Sequence, residues 1–199
     1  MFALATAAIA AFAGAAASAQ EAPRELTVRL YNASGIPVEE MLAARRAVAS
    51  IFEGTGVNLV LRPCGRQPGG SDPVDACSEP LGPSEVVVRV MNAPAFSTSL
   101  HPEAYGLSYI VRETNRGWLA TVFSDRIGSA SARLKIDSGT LLGLVMAHEI
   151  GHLLLGVDYH GASGVMRVEF PDGLIDSRRD EWHFSGREAA RLRRAADPF

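Results

Sequence analysis

The stretch Leu141-Leu-Gly-Leu-Val-Met-Ala-His-Glu-Ile-Gly-His-Leu-Leu-Leu155 is apolar on almost every side of a helix, and its interruptions are His148, Glu149 and His152. A helix that is apolar all round has to be buried, so the rest of the chain must surround it. Imidazoles and a carboxylate in such a helix are expensive to bury unless they are hydrogen-bonded or hold a metal. At 3.6 residues per turn, His148 and His152 project from one face and can share one ion. Zinc accepts imidazole nitrogen at about 2.0–2.1 Å, and a catalytic zinc usually has three protein ligands and leaves its fourth position to water. Glu149, beside the first histidine, stands where a base for that water belongs.

Enough chain is present to enclose this helix. With 199 residues, of which 47% are hydrophobic and 21% charged, the composition is that of one globular domain with a sizeable core. Glu25-Leu-Thr-Val-Arg-Leu-Tyr31 alternates as a strand with one buried face, and Asn32 to Pro37 forms a turn. From Val38 to about Glu53, Met41, Leu42, Val48, Ile51 and Phe52 recur at helical spacing, and Gly54 and Gly56 end the helix. Val57 to Arg62 reads as the next strand, and a strand-helix-strand unit favours parallel pairing. Glu85 to Met91 suits a central strand. Tyr105–Val111 and Trp118–Phe123, joined by the polar link from Glu113 to Gly117, suit an antiparallel hairpin. Asp137 or Ser138 can cap the apolar helix from near Thr140, and Ser185-Gly-Arg-Glu188 offers a capping box for a last helix to about Ala196. The arginines on that last helix, Arg187, Arg191, Arg193 and Arg194, read as a solvated face.

Residues 1–19 form an Ala-rich apolar run ending Ala17-Ser18-Ala19, the pattern of a secretory signal peptide, although no basic residue precedes the run. Residues 20–199 are then the catalytic domain, expected to be secreted or periplasmic and without stable membrane association after cleavage. A formal net charge of -3 and a pI near 6.0 provide no general attraction to nucleic acid. A monomer is expected. Cys64 and Cys77 are the only cysteines, most simply paired as one disulfide in an oxidising compartment. Arg62-Pro-Cys-Gly65 also resembles the cysteine switch of matrix metalloprotease propeptides, in which a thiolate occupies the zinc's open position. The partner cysteine favours the disulfide.

Downstream of His152, an unbroken helix would carry His160 about 12 Å along its axis, beyond reach of the same metal. Gly156 offers the positive φ of a helix terminus and lets the chain reverse, so His160 can return as a third ligand. Three histidines and one water then suit peptide-bond hydrolysis: the metal polarises the carbonyl, and Glu149 takes the water's proton and passes it to the leaving amine.

On these residues the chain resembles the metzincin zinc peptidases, whose signature is His-Glu-x-x-His-x-x-Gly-x-x-His followed by a methionine turn. The resemblance implies Zn2+ as cofactor, His148, His152 and His160 as its ligands, Glu149 as general base, and Met166 in Gly164-Val165-Met166 as the apolar floor. It also implies an α/β (α+β) fold: a twisted mixed, mostly parallel sheet of about five strands, a backing helix, a buried active-site helix and a C-terminal helix. Tyr105–Val111 becomes the edge strand that binds an extended peptide or protein substrate. Two residues depart from the family spacing, since Gly156 stands eight residues after His148 and His160 twelve. Asp158 occupies the tenth position, where a few relatives use Asp, and is an alternative third ligand; His160 is preferred because the glycine-histidine-methionine order is kept. Val168, two residues after Met166, excludes the tyrosine ligand of astacin-like members. Tyr159, near the motif, is expected to pack. A different class of function, a catalytically silent zinc-stabilised binding module, would have no use for Glu149.

Overall fold

The computed structural model describes residues 24–65, 77–94, 104–156, 160–167 and 182–196. The signal-like run lies outside them, as do His101, Asp158, Tyr159, Val168, Glu169, Asp172 and Glu181. The strands are β1 (Arg24–Asn32), β2 (Val57–Cys64), β3 (Glu85–Met91), β4 (Gly106–Val111) and β5 (Arg116–Phe123). The helices are α1 (Val38–Phe52), α2 (Ser124–Leu134), α3 (Ser138–Leu155) and α4 (Gly186–Ala195).

The five strands form one sheet in the order β2-β1-β3-β5-β4. β2, β1, β3 and β5 run parallel, and β4 lies antiparallel to β5 at the edge. This is the expected mixed, mostly parallel sheet. Alternation chooses the core face: Leu26, Val28 and Leu30 of β1, Val86, Val88 and Val90 of β3, and Ala120 and Val122 of β5 are buried together with α1 and α3. The hairpin carries a bulge, because Tyr109 faces Leu119 while Ile110 faces Gly117, leaving Trp118 as the extra residue on β5.

On the other face, Arg29 is buried at 4% exposure and binds the Glu85 carboxylate and the carbonyls of Cys77, Glu79 and Pro80. Cys64 and Cys77 are joined, with an S–S distance of 2.00 Å and Cα atoms 5.8 Å apart. Disulfide and guanidinium thus pin the same segment to the sheet. Cys64 ends β2 as a bonded cysteine, which excludes a thiolate switch at this position.

Two features depart from expectation. α2 was not anticipated: its buried residues Ile127, Ala130 and Leu134 are few, and serines and Gly128 dilute their helical spacing. It carries the chain from the end of β5 to the start of α3, stopping at Lys135 in a left-handed conformation (φ 55°). The α4 arginines are also more than a solvated face. Arg191 donates to the Leu155 carbonyl at 2.6 Å, at the C-terminal end of α3, and Arg193 donates to the Thr55 carbonyl at 2.7 Å. The two satisfy carbonyls at or just beyond helix C-termini, which have no helical partner.

α3 is long and apolar enough to cross a membrane by length and composition, but most of it is buried in this core. It approaches α1 closely because two of its residues have no side chain. A Cβ on Gly139 would stand 2.6 Å from Ala43 Cβ and from the Glu40 carbonyl oxygen, and one on Gly143 would stand 2.6 Å from Ala47 Cβ. Gly143→Ala is therefore expected to destabilise the fold. Helix propensity alone would favour alanine by about 0.5–1 kcal/mol, but overpacking against a fixed backbone costs roughly 1–3 kcal/mol. The net loss should appear as a melting temperature several degrees lower; an unchanged or raised value would contradict the close helix contact.

Candidate metal centre

Local sequence sets both ends of α3. Asp137 accepts from the Thr140 N–H at 2.7 Å and from the Thr140 hydroxyl at 2.8 Å, so of the two candidate caps, Asp137 and Ser138, it is Asp137 that serves. At the other end Gly156 adopts φ 100°, and its N–H still donates to the His152 carbonyl at 3.0 Å. A Cβ there would strike the Asn115 side chain in the β4–β5 turn, so glycine is needed for space as well as for φ.

Beyond this end the chain returns. His160 lies with its ring centroid 5.6 Å from that of His148 and 4.8 Å from that of His152. One ring nitrogen from each of the three histidines falls within 4.8 Å of the others. His148 and His152 present their Nε2 atoms to each other at 3.0 Å. His148 Nδ1 lies 2.8 Å from the Val165 carbonyl, which can only accept, so Nδ1 carries the proton and the Nε2 lone pair points into the cluster.

Electrostatics favour the neutral forms of His148 and His152. Burial lowers the His148 pKa, with His160 adding to the effect against the Val165 hydrogen bond. Burial, with His148 and His160 nearby, pushes His152 down to about 3. Facing lone pairs on neutral imidazoles repel one another and are relieved by a shared cation. Zinc is among the ions that imidazole nitrogen suits, and the donor set fits Zn2+.

Glu149 lies against the edge strand β4. Its side chain is 5% exposed. Ser108 on β4 donates to Oε2 at 2.7 Å, and the same hydroxyl lies 3.0 Å from the Glu149 carbonyl oxygen. A Cβ on Gly106 would stand 2.6 Å from Oε1, so the carboxyl lies across the bare Cα of that residue. Burial raises the Glu149 pKa to about 7, and the Ser108 hydrogen bond works against the rise. A cation held by the imidazoles would also lower it.

Met166 is fully buried under α3, where a Cβ on Gly151 would stand 3.3 Å from Met166 Cε and closer still to its sulfur. The loop carrying it is tied down by the Gly161 N–H to the Met166 carbonyl (2.8 Å) and the Val165 N–H to the His183 carbonyl (3.3 Å). The His183 main chain thus helps hold this loop in place. Ser108 and Gly106 escaped the sequence reading. Small residues at alternate positions of an apolar strand are the available signal, and they do not say which helix residue will lie opposite.

No family model matches the sequence, and no curated protein matches it. Among solved structures the chain is similar to metalloproteinase-II from Bacteroides fragilis, with a TM-score of 0.53 and 14% identity, over 87% of this chain and 53% of that one. The chain shares its fold with that protein. This chain spans about half the length of metalloproteinase-II, and at this identity the likeness is one of fold. Archaemetzincin from Methanopyrus kandleri aligns with a TM-score of 0.49 and 18% identity, over 86% of this chain and 96% of that one. In this fold β4 is the sheet edge beside Glu149, and one side of it is unpaired among the described residues.

Proposed function

We propose that this chain is a metzincin-like zinc endopeptidase, with His148, His152 and His160 as metal ligands and Glu149 as general base. The observation that carries the reading is the convergence of three imidazole nitrogens within 4.8 Å, two of them on the helix that also holds a buried carboxyl. When bound, Zn2+ supplies Lewis acidity that polarises a scissile carbonyl and eases deprotonation of a water. Glu149 takes the proton from the attacking water and delivers it to the leaving amine. The near-neutral proton affinity that burial confers on it suits both transfers.

β4 supports the choice of substrate. An extended peptide laid along an open sheet edge gains backbone hydrogen bonds without regard to its side chains. The exposed Tyr109 and Val111 on that strand offer apolar contacts to its residues. The secretory pattern of residues 1–19 and the Cys64–Cys77 disulfide favour an extracytoplasmic setting, with residues 20–199 acting as one catalytic domain.

The test is a mixed peptide library digested by protein of measured zinc content, with the products read by mass spectrometry. Internal cleavage that disappears on chelation and returns with added zinc is expected. Stoichiometric zinc with no cleavage in any library would instead favour a zinc-stabilised binding module.

A further inference from the structure

Three alternate residues of β4 face α3, and each meets it differently. Ile110 packs against the core, Gly106 leaves room for Glu149 Oε1, and Ser108 hydrogen-bonds Oε2. A glutamate side chain has three rotatable bonds and no intrinsic preference for one carboxyl position. In water, solvent would bond the carboxylate in any of them; at 5% exposure that alternative is closed, and a buried carboxyl takes the place where a donor waits. Ser108 is that donor among the described residues, at 2.7 Å.

The hydroxyl is itself held. It has one proton and two lone pairs, and it stands between the carboxyl and the main-chain carbonyl of the same residue, at 2.7 and 3.0 Å. Side chain and backbone of Glu149 are thereby referred to one atom on a neighbouring strand. Gly106 completes the seat from the other side, since any larger residue would occupy the position of Oε1.

We propose that Ser108 is a positioning residue that sets the Glu149 carboxyl, and that through it the edge strand β4 fixes the base relative to a peptide bound along that edge. The proposal rests on the reading of Glu149 as general base. A strand that both receives the substrate backbone and hydrogen-bonds the base ties the position of the carboxyl to that of the substrate.

The test compares zinc-loaded wild type with Ser108→Ala and Ser108→Thr, which keeps a hydroxyl. Ser108→Ala should lower kcat by about 10- to 100-fold with KM nearly unchanged, the signature of a misplaced reacting group. Zinc content and melting temperature should stay at wild-type values, and Ser108→Thr should restore kcat to within a few-fold. Crystal structures provide a readout independent of turnover: the Ser108–Glu149 bond present in wild type, and the carboxyl displaced or spread over several rotamers in Ser108→Ala. Wild-type kcat in Ser108→Ala, a large fall in its melting temperature with the carboxyl still in place, or a wild-type structure lacking the bond would each overturn the proposal. If wild type cleaves no peptide, the peptidase reading fails, and the crystal structures alone decide whether Ser108 positions the carboxyl.

Discussion

Glu149→Ala is expected to retain zinc at the wild-type level while peptide hydrolysis falls by about 10²–10⁴-fold, the range that a positioned general base contributes. The two effects separate because Glu149 projects toward β4, against Gly106 and Ser108, and is not one of the three clustered imidazoles. Folding should survive the change. Burial of this carboxyl works against its ionised form, so its removal deletes an unfavourable desolvation along with some packing. Glu149→Gln is the sharper comparison, since it keeps the size of the side chain and can still accept from Ser108 but cannot take a proton. Equal loss in both variants, measured as kcat/KM on one library-derived peptide with zinc determined in parallel, assigns the loss to basicity. Activity retained in Glu149→Gln would exclude Glu149 as the base.

His160→Ala is expected to leave zinc that dialyses away and an inactive protein, whereas Asp158→Ala keeps both metal and activity. The physical basis is the return of the chain after Gly156. At φ 100° the helix ends, and the His160 ring reaches 4.8 and 5.6 Å from the other two rings despite the two residues added to the family spacing. Two neutral imidazoles remain in His160→Ala, and two ligands hold zinc far more weakly than three. The check is zinc per chain after dialysis against a weak chelator. Zinc kept by His160→Ala and lost by Asp158→Ala would reverse the assignment.

Much of this molecule follows from contacts within one turn or one strand, and that part was legible in the sequence. The apolar run of α3 had to be buried, Asp137 caps it, and His148 and His152 share a face because helical geometry places residues four apart together. Ser185 and Glu188 form their capping box from a four-residue pattern, the alternation of β1 marked its core face, and the β-branched run of β3 marked a central strand. The disulfide followed from a count of two cysteines. α2 was not legible, because diluted spacing leaves its helical state to be decided by packing between β5 and α3. Arg191 and Arg193 looked like surface charge until α4 docked beside carbonyls from two segments far apart in the sequence.

The site divides the same way. Sequence by itself determined the helix, its pair of histidines, the glutamate between them and a glycine able to turn the chain. Only the tertiary structure decided that His160 comes back to that pair, since the return depends on a loop bonded to Met166 and His183. It alone decided that Glu149 meets Ser108, 41 residues earlier in the chain, because which strand lies against α3 is set by the order β2-β1-β3-β5-β4 and not by any local preference of Ser108. Periodicity is a property of neighbours along the backbone; the seat of the carboxyl belongs to the sheet edge.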